Sequence, residues 1–303
     1  MKAGLIISYL LLSLYAQAQQ FENTDLDGKV NGFSSLPTGW ASVPASFPGC
    51  LASDPGITDT PDLADSLSPG ASDGVIGYPY SGKTFLSALY SESTYSSVLW
   101  HEGIQQDVSG FSAGTVYTIN FHQAVDKSIN CLDESGSWAV YLDNQFLGIS
   151  SPSHSSIGPF DKNLQWDYRA LTFIATKSYY TIRFLPEDDD ANNESGETAG
   201  SLRMAIDYIY LSGLKLHMPN VLTPNNDGYN DAFVPFEDTN IPQASISIYD
   251  RWGYKVYENS GLLPGWDGNQ NGNPCTDGVY YYVVSLDIAD QKFSFSGFVQ
   301  VLR

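Results

Sequence analysis

Positive charge is scarce. The 303 residues carry 14 Lys and Arg against 34 Asp and Glu, a formal charge of −20. Such a chain repels phosphate backbones and anionic lipid headgroups, which excludes nucleic-acid or membrane-surface binding through a basic patch. Cysteine is equally sparse, with Cys50, Cys131 and Cys275 too widely spaced to set a disulfide framework. An oxidising compartment permits a Cys50–Cys131 bridge with Cys275 left over, and three unbridged thiols are the open alternative. His101, His122, His154 and His217 stand singly, so neither a zinc cluster nor a catalytic triad has its parts in place. After Tyr15 no apolar run reaches about 18 residues, which leaves the mature chain without a membrane-spanning helix. Helical periodicity is missing as well.

The composition that remains is β-forming. Aromatics make up 14% of the chain, with 20 Tyr and 27 Gly, and only 16% is charged, a mixture that suits strands joined by turns. The first residues are a targeting segment. Lys2 precedes an apolar run from Leu5 to Tyr15, and Ala16-Gln17-Ala18 is a small-x-small cleavage site, too short an assembly to span a bilayer. The mature chain is expected to begin near Gln19, without a cysteine for lipid attachment.

Short runs bounded by Gly, Asn, Asp, Ser and Pro are expected as strands. They are Thr84–Leu89, Val116–Phe121, Trp138–Leu142, Leu171–Ala175, Tyr180–Leu185, Met204–Leu211, Ser245–Tyr249, Gly253–Tyr257, Val279–Leu286 and Phe293–Leu302, with Asp143-Asn144-Gln145 as a hairpin turn. The fold class is therefore all-β: an N-terminal jelly-roll β-sandwich followed by a small C-terminal immunoglobulin-like β-sandwich of seven strands. The expected organisation is a signal peptide at 1–18, a jelly-roll domain at 19–213, a linker at 214–218 and a second domain at 219–303. Residues 19–213 hold 24 acids and 8 bases, net −16, while 214–303 hold 10 and 5, net −5. Any calcium or polyhydroxyl binding therefore belongs to the first domain.

Several motifs are decoys. Gly77-Tyr78-Pro79-Tyr80-Ser81-Gly82-Lys83-Thr84 matches the P-loop expression. A phosphate cradle, however, needs small residues and an α/β frame that this chain lacks. Gly70-Ala71-Ser72-Asp73-Gly74 spells a nucleophile elbow with no helix to follow it. His101-Glu102 begins a zinc-protease motif that Gln105 breaks.

Two kinds of feature survive. Carboxylates and amides cluster at Glu22, Asp25 and Asp27, at Glu187–Asp190 with Asn192, Asn193 and Glu194, and at Asn225–Asp231; such oxygens suit Ca²⁺, though none forms an EF-hand loop. Aromatic rings can stack on the apolar face of a pyranose, and Trp138, Tyr141, Trp166 and Tyr168 are the rings singled out for ligand binding, with Trp40 and Trp100 behind them.

Four ordered motifs carry a resemblance: Pro219-Asn220-Val221-Leu222-Thr223-Pro224-Asn225-Asn226-Asp227-Gly228-Tyr229-Asn230-Asp231, Ile248-Tyr249-Asp250-Arg251-Trp252-Gly253, Trp266-Asp267-Gly268, and Gly278-Val279-Tyr280-Tyr281-Tyr282. Residues 219–303 resemble the gliding-motility-associated C-terminal domain of Bacteroidota, the type B sorting domain of the type IX secretion system. That resemblance implies a small β-sandwich that directs folded cargo through the outer membrane, with the secretion machinery as partner and release or surface retention as the outcome. Its motif residues here are Asn220, Thr223, Pro224, Asn225, Asp227, Gly228, Asn230, Asp231, Arg251, Trp252, Gly253, Trp266, Asp267, Gly268, Gly278 and Tyr280. Phe21-Glu22, Gly39-Trp40, Thr60-Pro61-Asp62-Leu63, Ser81-Gly82-Lys83-Thr84-Phe85-Leu86, Glu102-Gly103-Ile104-Gln105-Gln106 and Ala113-Gly114-Thr115-Val116-Tyr117 resemble the N-terminal modules that accompany this sorting domain, which are similar to galactose-binding-like jelly-rolls and carbohydrate-binding modules; that resemblance implies a structural Ca²⁺ on Glu22 and Asp207.

The expected function is that of a non-catalytic exported protein whose first domain binds a glycan or another surface ligand and whose second directs export. The alternatives are a glycoside hydrolase or esterase using carboxylates among Asp133, Glu134, Asp143 and Asp167, and a purely structural adhesin.

Overall fold

Alternation decides which side of each strand is buried. In Ile104–Ser109 the side chains of Ile104, Gln106 and Val108 turn inward while Asp107 and Ser109 stay exposed, the period-two pattern of a strand with one covered face. The computed structural model describes residues 20–32, 34–44, 46–47, 60–68, 75–93, 98–127, 134–155, 157–158, 160–188, 201–214, 219–234, 243–261, 265–288 and 291–303. The targeting segment, Cys50, Cys131, Asp133 and the Gly70–Gly74 motif lie outside the described residues.

Nineteen strands are present among the described residues. One antiparallel sheet orders β1 (Ala41–Ser42), β5 (Ile104–Ser109), β11 (Tyr179–Asp188), β7 (Ser135–Leu142) and β8 (Gln145–Ile149), with β9 (Ser153–His154) also paired to β7. A second orders β10 (Asp167–Ile174), β6 (Val116–Asp126), β12 (Ser201–Leu214), β3 (Phe85–Ser93) and β2 (Asp62–Ala64), with β4 (Val98–His101) on β3. Successive strands cross repeatedly between the sheets, as a jelly-roll requires. Between the sheets lies one apolar core that includes Trp138, Phe121, Phe184, Ile104, Ile119 and Ile206. Phe21 stacks on Trp40 with centroids 5.3 Å apart, and both rings lean on Phe184. Trp138 is fully buried, and its indole N–H donates to the Ala205 carbonyl across the core at 3.3 Å.

The second sheet turns a further face away from that core. Arg203 on β12 is paired in register with Asp126 on β6, and its guanidinium lies 3.2 Å from Ser87 Oγ and 3.9 Å from Asp62. All four residues are buried. Burial pushes the Asp126 carboxyl up to about 6, against the opposing pull of Arg203.

The C-terminal residues form their own sheet, ordered β13 (Val221–Leu222), β19 (Gln291–Val301), β18 (Gly278–Ile288), β14 (Gln243–Tyr249) and β15 (Lys255–Gly261). Its inner face carries Ile246, Ile248, Val284, Val299 and Val301 against Trp266 and Phe233, a core separate from the first. The covering layer is the Phe233–Trp266 bridge and the hairpin of β16 (Asn269–Gln270) and β17 (Asn273–Pro274).

Most expected strands fall inside observed ones. Gly253–Tyr257 needs correction: Asp250 Oδ1 accepts the N–H groups of Trp252 and Tyr254, both at 2.9 Å, and Gly253 sits at φ +84°. That turn delays the strand to Lys255. The short β1, β2, β4, β8 and β9 went unread because two to five residues give a period-two pattern too little length to show.

If the two cores fold separately, Trp138→Ala should lower one unfolding transition by about 3–5 kcal/mol and leave the other in place. Trp266→Ala should do the reverse. Differential scanning calorimetry reads this directly, and one transition moved by both variants would show a shared core. For Asp126, a folded pKa raised above the ordinary 3.8 means stability that is full below about pH 4 and declines as pH rises through about 6. Urea titrations from pH 4 to 7 should show Asp126→Asn losing less stability over that window than the parent.

Candidate functional site

A break in alternation builds the site. Along β12, Ile206 faces the core and Asp207 the opposite side, so Tyr208 would be expected inward. Instead the register slips between Asp207 and Tyr210, Tyr208 takes φ +51°, and Ile209 and Leu211 supply the next core side chains. A β-bulge of this kind places two successive side chains on one face. A left-handed backbone is costly for a non-glycine residue and persists only where its surroundings impose it.

Asp207 imposes it. Its carboxylate is fully buried; Oδ1 accepts the Tyr208 N–H at 2.7 Å and Oδ2 the Ser81 N–H at 2.9 Å. Burial, with the Asp25 charge adding to it, pushes this carboxyl up to about 7 against those hydrogen bonds. The Ser81 turn is fastened twice more: Ser81 Oγ donates to Asp25 at 2.6 Å, and Asp27 Oδ1 accepts the Lys83 N–H at 2.6 Å. Gly82 has φ +65°, and a Cβ there would meet Asp27 Oδ1 at 2.6 Å, so only glycine fits. The letters that spell a P-loop thus wrap around carboxylates, which repel the phosphate a P-loop would hold.

The fastening presents rings. Tyr80 lies flat on His122 with centroids 3.4 Å apart and planes at 13°. Tyr208 leans on Tyr80 at 5.9 Å and on Tyr210 at 5.2 Å, while Tyr168 leans on His122 at 5.6 Å. Tyr80 and Tyr168 are about half exposed, at 49% and 52%, and His122 is buried beneath them. Burial lowers the His122 pKa, which keeps the imidazole neutral at physiological pH. Beside it, Tyr168 donates its hydroxyl to Asn120 Oδ1 at 2.6 Å, and Asn120 donates to Ser212 Oγ at 3.0 Å. The result is a continuous aromatic surface with polar groups at its edge, an arrangement suited to a ligand with an apolar face and a hydroxylated rim.

Of the four rings singled out from sequence, only Tyr168 belongs to this surface. Trp138 is core. Trp166 packs edge-on against Phe85 and donates to the Tyr78 carbonyl. Tyr141 lies on the other sheet, between Phe47 and Phe146. Tyr80, Tyr208, Tyr210 and His122 were missed. The available signal was Asp207-Tyr208, two residues where Ile206 and Ile209 leave room for one in a strict alternation.

Glu22 and Asp207 are engaged separately. Glu22 turns against Gly39 and lines a polar cleft of about 250 Å³ with Gln105, Gln106 and Asp107. Among the described residues no group of three His, Cys, Asp or Glu side chains gathers to hold a metal. Beside Asp207 stand Asp25, bonded to Ser81 Oγ, and Asp27, bonded to the Lys83 N–H, and Glu22 is not among them. Of the acids weighed for hydrolysis, the three described ones are in ion pairs: Glu134 with Lys127 at 3.1 Å, Asp143 with Lys177 at 2.5 Å and Asp167 with Arg169 at 3.1 Å. Cys275 is buried and free.

The C-terminal motif residues shape turns. Asn220 accepts the Gln300 N–H through its carbonyl, tying β13 to β19. Thr223, next to Pro224, donates its N–H to the Asn230 carbonyl. Asp231 accepts from the N–H groups of Asn226 and Gly228, and Asp227 from those of Tyr229 and the Asn225 side chain. These last contacts hold the Asp227 carboxyl below its ordinary value. Trp266 is fully buried and donates to the Asn269 carbonyl, and Asp267 accepts the Asn269 N–H. Gly268, at φ +77°, accepts from Arg303. Tyr280 is buried and bonded to the Thr276 carbonyl, and Gly278 takes φ +150°. Arg251 sits over the Trp252 ring, which remains 73% exposed, and Gly253 closes that turn.

These features define an all-β protein in which a double-sheet module with an aromatic face precedes a smaller sheet whose turns are shaped by Asn, Asp and Gly. Residues 216–301 match the CHU_C Type IX secretion signal domain. The protein therefore carries a type IX export signal, which indicates delivery to the cell surface or the medium and implies contact with the secretion machinery. No curated protein matches the chain in sequence. Solved structures to which it is similar include the adhesin domain of Epf from Streptococcus pyogenes, at 11% identity over 73% of this chain and 77% of that one with a TM-score of 0.26. Others are the K2 cleaved adhesin domain of Lys-gingipain, at 12% identity over 65% and 97% with a TM-score of 0.35, and the CBM22-1-GH10 modules of Clostridium thermocellum xylanase 10B complexed with xylohexaose, at 8% over 68% and 33% with a TM-score of 0.34. Likenesses this distant say nothing of function. Among the described residues no helix is long and apolar enough to cross a membrane.

Removing the Asp207 carboxylate leaves two backbone donors without an acceptor. Asp207→Ala should cost about 1–3 kcal/mol and weaken the near-ultraviolet circular dichroism of the tyrosines. Tyr80→Ala should leave stability nearly unchanged while abolishing the ring-current shift of the His122 protons in NMR spectra.

Proposed function

We propose that the double-sheet module captures a glycan on the Tyr80, Tyr168, Tyr208 and Tyr210 surface, and that the C-terminal domain carries this module out of the cell. The observation supporting capture is the bulge at Tyr208. Holding a tyrosine in left-handed backbone conformation is unfavourable by about 1–3 kcal/mol, and what it achieves is a second ring beside Tyr80 on the face turned away from the core. Core packing alone would be served by regular alternation.

The chain works as two units with separate tasks. The motif residues of 219–303 hold the turns of the export domain, and the tyrosines of the preceding module meet the ligand. No catalytic step is part of this reading.

Two measurements test it. Deleting residues 219–303 should trap the protein in the periplasm; normal appearance on the surface or in the medium would refute the export role. On a glycan array the full mature chain should bind, and Tyr208→Ala should lower that binding by about tenfold, the equivalent of roughly 1.4 kcal/mol of stacking. An array without hits would refute capture.

A further inference from the structure

The charge around the aromatic surface restricts what can land on it. The groups fastened to the Ser81 turn are the carboxylates of Asp25 and Asp27 and the buried carboxyl of Asp207, beside the exposed ammonium of Lys83. The floor adds no positive charge, because burial keeps His122 neutral. Neighbouring β10 offers Arg169, but its guanidinium is occupied by the carbonyls of Ser151 and Pro152 and by Asp167. Anionic sugars are normally held by paired guanidinium or ammonium groups, and among the described residues here no such pair is available.

A cationic ligand is also disfavoured, on geometric grounds. A cage holds a cation over ring faces, each within about 6 Å of its centroid, so facing rings must stand well apart. Here successive centroids are 5.2 to 6.0 Å apart, the separation of rings in contact with one another. Their planes are inclined to one another by 41° to 57°, so they form a faceted platform without room for a cation between facing rings. Tyr80 has one face on His122 and is half exposed, which leaves ring surface open to a flat partner.

We infer that the platform takes the flat faces of uncharged pyranose residues and rejects uronates and sulfated glycans. This rests on the capture reading above. The test is affinity electrophoresis of the full mature chain in gels containing xylan, mannan or β-1,3-glucan, compared with polygalacturonate, alginate or heparin. The expected result is retardation by at least one neutral polymer, reduced by about tenfold or more in Tyr80→Ala and Tyr208→Ala and unchanged in Phe146→Ala on the opposite sheet. Because Tyr80 is half exposed, Tyr80→Phe serves as a folded control that keeps the ring and should keep retardation. Retardation by an acidic polymer through the same tyrosines would overturn the charge restriction and leave capture standing. Retardation by none of the six, or retardation indifferent to both tyrosine variants, would overturn the two together.

Discussion

A carboxylate buried without donors is among the least stable arrangements a protein interior can contain, and Asp207 is buried completely. Its two oxygens are satisfied by backbone N–H groups, that of its own neighbour Tyr208 and that of Ser81, 126 residues away in sequence. Those two bonds join the 75–84 segment to the last strand of the second sheet and fix the bulge. Without them Tyr80 would have no reason to lie on His122, and Tyr208 no reason to leave the core. The N-terminal segment is drawn in by the same arrangement: Asp25 and Asp27 hold the Ser81 turn, and the Thr24 carbonyl accepts the Ile209 N–H just past the bulge.

How far the sequence discloses this differs from feature to feature. Strands such as β6 and β18 are eleven residues long, and their apolar content announces them. The aromatic surface is hidden for two reasons. Its rings come from a loop, from β10 and from both sides of a bulge, and nothing in a linear pattern brings Tyr80 to His122. Aromatic identity also misleads, since Trp138 and Tyr168 are equally plausible as ligand platforms until burial separates them into core and surface. The match of Gly77–Thr84 to a phosphate loop had a physical origin: tight turns need glycine whatever they wrap, and here Gly82 makes room for Asp27.

In the C-terminal domain the same contrast runs the other way. Its motifs stand out in sequence because turns with left-handed residues demand Asn and Gly, as at Asn226, Gly228 and Asn230, and because Trp266 must fill a small core. They report on architecture. A domain recognised in its folded state needs a fixed shape, and the side chains that fix shape are mostly turned inward, leaving Tyr229 and Trp252 as the motif aromatics most open to solvent.

The central claim is that one face of the second sheet, and no other surface, meets the ligand. The most direct measurement is an NMR titration of the mature protein with a neutral hexasaccharide that binds it. The account predicts shift changes concentrated at Tyr80, Asn120, His122, Tyr168, Tyr208 and Tyr210; changes centred on Phe47, Tyr141 and Phe146 of the opposite sheet, or on the cleft beside Glu22, would contradict it.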